Sequence, residues 1–169
     1  MSNFDRHGSH IPLLTRALMY RGVSSILPVL ELGMGFNSTP IIHWLSADQG
    51  RKAVSCESDP KWFEQFADYG KSGHTLRVVS DWSKEKFEDT QWGVVLIDCR
   101  PALERHRQAI KLANSAHIVI LHDTEPEIDR FYAYRRVWPH YKYRLDDNRV
   151  KPHTTMLSNF INLQEEFYV

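Results

Sequence analysis

The sequence predicts an α/β fold, a three-layer sandwich whose mostly parallel sheet ends in a C-terminal antiparallel hairpin. Apolar strand-like runs alternate with helical periodicities along most of the chain, and such alternation indicates parallel strands joined by crossover helices. Residues 94–97 and 118–121 are continuously apolar, as strands buried on both faces are. After Tyr132 the pattern changes, and residues 141–145 and 154–158 alternate as strands around the polar turn 146–148, which predicts the hairpin.

The elements follow from apolar spacing and from residues that begin or end helices. Thr39 and Pro40 can begin a helix as N-cap and first residue, and Gly50 can end it. Ser58, Asp59 and Pro60 begin another helix in the same way. The predicted strands are 29–32, 52–56, 75–79, 94–97, 118–121, 141–145 and 154–158. The predicted helices are 12–21, 40–45 or slightly beyond, one beginning near 58, 102–113, and an amphipathic stretch at 131–138.

Size and composition predict one globular domain over residues 1–169, with residues 1–27 as an N-terminal lid or helix segment. Hydrophobic residues make up 42% and charged residues 25%, and the formal net charge is zero. A neutral chain is not typical of proteins that follow a phosphate backbone, so nucleic acid is not expected as a partner. No apolar run approaches the ~20 residues that span a bilayer, so no membrane partner is expected. Cys56 and Cys99 lack metal-ligand spacing, which favours a reducing, cytoplasmic location.

A glycine-rich segment follows the first predicted strand and indicates a ligand site. The strand delivers Glu31 into Gly33 and Gly35, where the backbone can turn sharply and approach a ligand closely. Glu57 ends the second strand, 24 residues beyond Gly33 (57 − 33), where a carboxylate can accept hydrogen bonds from ribose hydroxyls. Taken singly, the glycines can be a plain turn and Glu57 a solvated loop residue. Together they favour a nucleoside ligand.

These residues resemble the class I S-adenosylmethionine-dependent methyltransferases, whose fold is Rossmann-like. Residues 31–35 resemble the first motif of that family, and Glu57 matches its ribose-binding acid. Asp81 and Trp82 match the position beside adenine, and a fourth motif ends at Asp98. The resemblance extends over nearly the whole chain and implies S-adenosylmethionine as cofactor. The cofactor-binding residues it implies are Glu31, Gly33, Gly35, Ser38, Glu57, Asp81 and Trp82.

Dinucleotide oxidoreductases are the competing interpretation of the glycine segment. Their phosphate loop needs a third glycine, because the pyrophosphate lies against a helix N-terminus. Ser38 occupies that position here, and Phe36 and Asn37 stand where many methyltransferases also have a third glycine. The chain also has no residues left for a nicotinamide-binding second domain. A methyl donor without a pyrophosphate fits better.

Catalytic residues are expected where the fourth and fifth strands end. Ligands of open α/β sheets bind beyond the carboxyl ends of the strands, so Asp98 and the segment beginning at His122 should converge there. Methyl transfer to a hydroxyl requires removal of the acceptor proton, which a positioned Asp or His can achieve. We therefore predict Asp98 and His122 as catalytic residues. The alternative is that Asp98 binds the cofactor amine or caps a helix, and that His122 is structural.

The same segments suggest substrate contacts and a metal alternative. Arg100, Asp123 and Arg135 are predicted to bind substrate. Asp98 and Asp123, with or without His122, could instead hold Mg²⁺ or Mn²⁺ and lower the pKa of the acceptor hydroxyl, as in catechol-type members of the resembled family. Those relatives usually have an Asp-Asn pair after the fifth strand, whereas this chain has Asp123-Thr-Glu125.

The acceptor is expected to be a saccharide. Residues 122–125 and the compact frame look similar to small methyltransferases that modify sugars in glycans. Residues 131–138 combine aromatics with Arg135 and Arg136 and could stack on sugars, although ordinary core aromatics on an amphipathic helix are the alternative. A cluster at residues 7–10 could be a lid over the cofactor or a flexible tail. Other open interpretations are a small-molecule or nucleoside acceptor and a non-catalytic nucleoside-binding module, and no oligomeric state is predicted.

Overall fold

A computed structural model describes residues 8–71 and 73–167, which form an α/β sandwich around one seven-stranded sheet. The strand order is β3-β2-β1-β4-β5-β7-β6. β7 runs antiparallel to β5 and β6, and the other pairings are parallel. The strands are β1 Val29–Leu32, β2 Ala53–Glu57, β3 His74–Val78, β4 Trp92–Ile97, β5 Ala116–His122, β6 Tyr143–Asp147 and β7 Thr154–Ser158. The predicted mostly parallel sheet with its C-terminal hairpin is confirmed.

Helices cover both faces of the sheet. Ile42 of α2 and Leu14 of α1 pack on one face, and Ala109 of α4 packs on the other with Tyr134. The helices of the described residues are α1 Ile11–Met19, α2 Thr39–Asp48, α3 Pro60–Glu64, α4 Ala102–Lys111, α5 Asp129–Tyr132 and α6 Leu163–Phe167, with short 3₁₀ turns between them. None of these helices is long and apolar enough to cross a membrane. The Rossmann-like three-layer architecture is therefore confirmed.

The burial of the central strands determines where a ligand or solvent can reach the sheet. Every residue of β1 and β4 is buried, because helices cover both faces of these parallel strands. Side chains that end the strands are the first that can reach solvent or a ligand. The carboxyl ends of β1, β2, β4 and β5 lie along one edge of the sheet, which places the candidate site there.

The C-terminal third differs from the prediction in two places. The predicted helix at 131–138 is wrong, because Ala133 adopts the left-handed conformation at φ 57° and ends α5; 3₁₀ turns follow. The predicted turn at 146–148 is also wrong at its start, because β6 continues to Asp147. Asp146 accepts a hydrogen bond from Thr155 Oγ1 at 2.6 Å, so this acidic residue is stabilised inside the hairpin.

Candidate functional site

The backbone of the loop after β1 strongly favours glycine at position 33. Gly33 has φ +94°, and a Cβ there would lie 2.6 Å from backbone atoms of Asp98 and Cys99. A side chain would therefore combine left-handed strain with a clash against neighbouring backbone. Gly33 holds the end of β1 directly against the end of β4.

Gly35 lies close to Ser38 in the second half of the loop. Its N–H donates to Thr39 Oγ1 at 3.0 Å, and a Cβ at position 35 would lie 3.2 Å from Ser38 Oγ, which is a tight contact. Ser38 is buried and immediately precedes α2. Glycine at this position therefore avoids pressing on Ser38 and leaves the loop backbone without a side chain, as close binding of a ligand requires.

Glu31 lies fully buried beneath the loop. Its carboxylate accepts hydrogen bonds from Thr39 Oγ1 at 3.1 and 3.0 Å and from the Ser55 hydroxyl. Burial raises the pKa of Glu31 to about 7, although these hydroxyl contacts act in the opposite direction. Through Thr39, Glu31 supports the backbone of Gly35 from below.

Glu57 ties the end of β2 to the same loop. One of its oxygens accepts a hydrogen bond from the Met34 N–H at 3.1 Å. The other accepts from the backbone N–H groups of Ser58 at 2.7 Å and Asp59 at 2.9 Å. A carboxylate held by three backbone donors has a fixed position, and it retains lone pairs for further donors.

Asp81 and Trp82 follow β3 but face different surroundings. Asp81 is partly exposed, and its pKa is lowered by hydrogen bonds from the Ser83 hydroxyl and backbone N–H and from Lys84. Trp82 is 4% exposed and belongs to the core. Its indole N–H donates to the Arg100 carbonyl at 2.7 Å, and the Ser58 hydroxyl donates to the same oxygen at 3.2 Å. One carbonyl thereby joins the loops after β2, β3 and β4.

Arg105 of α4 organises the ends of β4 and β5. Its guanidinium pairs with Asp98 Oδ1 at 2.7 Å and with Asp123 Oδ2 at 2.8 Å, and its Nε donates to the Cys99 carbonyl at 2.9 Å. The residue is only 6% exposed. Burial opposes its charge, but Asp98 and the other surrounding groups outweigh that effect and raise the pKa of Arg105. Two predicted site residues are therefore held by one buried cation.

Asp98 and His122 form a hydrogen-bonded pair that continues to Ser9. His122 Nδ1 lies 3.2 Å from Asp98 Oδ2, and His122 Nε2 lies 2.9 Å from Ser9 Oγ. Burial opposes ionisation of Asp98, yet the hydrogen bond with His122 and the charge of Arg105 lower its pKa to about 2. Burial on its own would lower the pKa of His122. The hydrogen bond with Asp98 and the charge of that carboxylate outweigh burial, so the pKa of His122 is raised. The carboxylate therefore orients the imidazole, leaving Nε2 toward a hydroxyl.

His10 packs against this pair from the N-terminal segment. Its ring lies edge-on to the His122 ring, with centroids 4.8 Å apart. Burial and the neighbouring His122 lower the pKa of His10 to about 4. Neither of its ring nitrogens has a hydrogen-bond partner within residues 8–71 and 73–167.

Two tyrosines complete the rim beside β5. Tyr132 donates to Asp123 Oδ2 at 3.0 Å, and Tyr134 donates to the His122 carbonyl at 2.8 Å. Their rings are stacked, with centroids 5.3 Å apart and planes 7° apart. Tyr134 is buried, whereas Tyr132 is partly exposed and Phe131 is exposed. An aromatic rim therefore adjoins the acidic pair.

The predicted substrate-binding residues divide into two groups. Asp123 belongs to the Arg105 cluster, whereas Arg100 is exposed and contributes its carbonyl to the loop contacts described above. Arg135 lies on the surface, 78% exposed, and pairs with Asp129. The geometry thus joins Asp98, His122 and Asp123 and leaves the two arginine side chains outside that cluster.

Several residues of the cluster were not predicted as site residues. Arg105 stands in the first turns of α4, the helix that follows Asp98. That position close after a strand end was the sequence feature that could have indicated a site residue. Ser9 and His10 belong to the predicted lid segment, and both contact His122. Residues 1–7 of that segment, including His7, lie outside the described residues.

Comparisons with known proteins support the fold. No protein-family model and no curated protein matches the sequence. Among solved structures, the METTL16 MTase domain aligns with a TM-score of 0.63 at 11% identity, covering 95% of this chain and 70% of that chain. A putative O-methyltransferase from Klebsiella pneumoniae aligns with a TM-score of 0.59 at 12% identity, covering 95% and 82%.

A third similar structure contains a ligand. The Pyrococcus abyssi tRNA (uracil-54, C5)-methyltransferase, in complex with S-adenosyl-L-homocysteine, aligns with a TM-score of 0.55 at 10% identity and covers 88% of this chain and 36% of that chain. At these identities the likeness establishes the fold of the chain.

Proposed function

We propose that this chain, which has the fold of the class I S-adenosylmethionine-dependent methyltransferases, transfers a methyl group to a hydroxyl of a saccharide. The observation that carries the proposal is the chain of contacts from Ser9 Oγ through His122 to Asp98. It lies beside the glycine loop, because Gly33 approaches the backbone of Asp98. A proton acceptor thus adjoins a cradle for the methyl donor.

The residues around the loop fit S-adenosylmethionine. Glu57 ends β2, Asp98 directly follows β4, and Asp81 lies three residues beyond the end of β3. The cofactor carries an ammonium, a sulfonium and ribose hydroxyls, so carboxylate acceptors complement it. Gly35 carries no side chain, so a ligand can approach the loop backbone closely. When bound, the cofactor supplies an electrophilic methyl group and leaves as a neutral thioether.

His122 would take the proton of the acceptor. With Nδ1 donating to Asp98, the neutral imidazole presents Nε2 as an acceptor, and the Ser9 hydroxyl already lies 2.9 Å from it. We propose that the acceptor hydroxyl replaces Ser9 at this nitrogen. With the cofactor bound, the acceptor oxygen would form the bond to the methyl carbon as the carbon–sulfur bond breaks. The acceptor proton would pass to Nε2, and Asp98 would stabilise the resulting imidazolium.

The rim supports a saccharide acceptor. The ring of Tyr132 stacks on Tyr134 and lies under the Arg105 guanidinium, so the exposed ring of Phe131 is the surface that can pack against the C–H face of a sugar. Carboxylates beside an aromatic surface can accept hydrogen bonds from sugar hydroxyls, and Asp123 lies next to Tyr132. The neutral net charge and the acidic strand ends favour an uncharged acceptor over RNA. The fold itself does not exclude RNA, since one similar structure is a tRNA methyltransferase.

The predicted Mg²⁺ or Mn²⁺ site between Asp98 and Asp123 does not fit the side chains present. Arg105 pairs with both carboxylates, and Tyr132 donates to Asp123. A hard cation bridging the two carboxylates would have to compete with Arg105 and Tyr132 for these oxygens. We therefore propose turnover that does not depend on Mg²⁺ or Mn²⁺.

A cytoplasmic location stays a prediction. Cys56 and Cys99, on which that prediction rests, are both buried and free.

A methyl-transfer screen tests the proposal. The full chain is incubated with labelled S-adenosylmethionine and, separately, neutral oligosaccharides, phenols and RNA, with and without EDTA. We expect label in an oligosaccharide, unaffected by EDTA. Label only in RNA or phenols would overturn the saccharide assignment. Cofactor binding without transfer to any acceptor would favour the non-catalytic nucleoside-binding module.

A further inference from the structure

Three side chains from separate parts of the chain converge at the candidate site. His10 is the N-cap residue of α1, Asp98 follows β4 and His122 ends β5. One ligand atom from each lies within 4.8 Å of the others. We propose that His10, Asp98 and His122 bind a transition-metal ion such as Zn²⁺.

The state of His10 points to a missing ligand. His10 is only 2% exposed. Both of its ring nitrogens nevertheless lack a hydrogen-bond partner among the described residues. A buried polar group without a hydrogen bond costs free energy, and such groups are uncommon in folded proteins. A metal ion between His10 and His122 would supply the missing interaction.

The spacing of the other two groups is compatible with coordination. His122 Nδ1 and Asp98 Oδ2 lie 3.2 Å apart. Two ligands at about 2.0–2.2 Å from one Zn²⁺ ion have a similar separation. A metal could replace the proton between them, and a modest shift would bring the His10 imidazole into the same shell. Asp98 Oδ1 remains paired with Arg105, which orients the carboxylate from behind.

The donor set indicates the class of metal. Two imidazoles and one carboxylate suit Zn²⁺, Co²⁺ or Ni²⁺, whereas Mg²⁺ prefers oxygen ligands. This site differs from the Asp98–Asp123 pair discussed above. Asp123 Oδ2 interacts with Arg105 and Tyr132, so we leave Asp123 out of the ligand set.

Occupation of this site would connect the N-terminal segment to the strand ends and weaken the proton acceptor. A metal on His122 Nδ1 takes the place of the hydrogen bond to Asp98, and its positive charge makes Nε2 of the same ring a poorer base. We therefore expect the metal to inhibit methyl transfer. This consequence rests on the proposed function, whereas metal binding itself does not.

Calorimetry and Co²⁺ absorption on the full chain test the site. We expect one Zn²⁺ per chain, visible-band absorption typical of protein-bound Co²⁺, and no comparable binding of Mg²⁺. His10→Ala should weaken Zn²⁺ binding at least about tenfold, as expected from losing one ligand interaction of ~1.4 kcal/mol or more, while His140→Ala, an exposed control, should leave it unchanged. Circular dichroism and cofactor affinity would verify that His10→Ala is folded.

The outcomes separate the metal site from the proposed function. Equal Zn²⁺ affinity of wild type and His10→Ala, or no binding by wild type, would overturn the metal site. Inhibition of wild type but not of His10→Ala at the same Zn²⁺ concentration would support it. Zn²⁺ binding that stimulates turnover would retain the metal site and overturn the role of His122 as a free proton acceptor.

Discussion

Glu57 accepts a hydrogen bond from the Met34 backbone N–H at 3.1 Å, so the acid at the end of β2 is joined to the glycine loop after β1. In the proposed complex this fixed carboxylate serves the ribose hydroxyls. Glu57→Ala should weaken binding of S-adenosylmethionine at least about tenfold by calorimetry, because hydrogen bonds to a charged group contribute about 1.5–3 kcal/mol. Glu64→Ala, an exposed change in α3, is the control. Equal affinities of Glu57→Ala and wild type would remove Glu57 from the cofactor site.

The two loop glycines should respond differently to substitution. Gly33→Ala combines positive φ with a 2.6 Å backbone clash, so we expect a loss of at least about 1 kcal/mol in the free energy of unfolding. Gly35→Val should leave the chain folded but abolish cofactor binding, because its side chain would press on Ser38 Oγ, 3.2 Å from a Cβ at this position, and would cover the loop backbone. Thermal unfolding and calorimetry on both variants measure these effects. Normal binding by Gly35→Val would show that the cofactor lies elsewhere.

Arg105 should be the most important cluster residue for stability. Arg105→Met leaves Asp98 and Asp123 without their buried partner, and breaking such a pair costs about 3–5 kcal/mol. Denaturant unfolding would measure the loss, with the exposed Arg107→Met in the same helix as control. Arg105→Lys keeps the charge without the planar fork and should lose less. A loss for Arg105→Met no larger than for Arg107→Met would contradict the cluster's role.

Glu31 should make stability depend on pH. Its pKa is about 7 in the folded chain and ordinarily about 4.5, so the folded chain retains a proton that the unfolded chain releases between these values. The contribution of Glu31 to stability therefore falls as pH rises through this window, by at most about 1.4 kcal/mol per pH unit. Unfolding measurements from about pH 5 to about pH 8 should show wild type losing stability relative to Glu31→Gln. Parallel pH profiles would contradict the buried-carboxylate account.

The sequence was informative where local pattern determines structure. The continuous apolar runs predicted β4 and β5, because strands covered on both faces lack polar positions. The glycines and the acids after the strands placed the candidate site, because parallel strands end at one edge. Residues 131–138 were mispredicted because the tertiary contacts of Tyr134, including its bond to the His122 carbonyl, outweigh helical periodicity.

The long-range contacts of the site could not be predicted from spacing. Ser9 and His122 are separated by 113 positions, and no periodicity relates α1 to the end of β5. The bridging of Asp98 and Asp123 by Arg105 likewise depends on how α4 packs against the sheet. That bridge is the observation behind our proposal that no Mg²⁺ or Mn²⁺ ion lies between the two carboxylates, an alternative that the sequence left open.

The rate of methyl transfer by Asp98 and His122 variants tests the central claim most directly. With the oligosaccharide acceptor found by screening, His122→Gln and Asp98→Asn should each lower kcat by at least about 10²-fold, the lower range for general-base catalysis. The Kd for S-adenosylmethionine should change less than about threefold, and Asp68→Asn, an exposed carboxylate change, should match wild type in both. A kcat within about twofold of wild type in His122→Gln and Asp98→Asn would contradict the account.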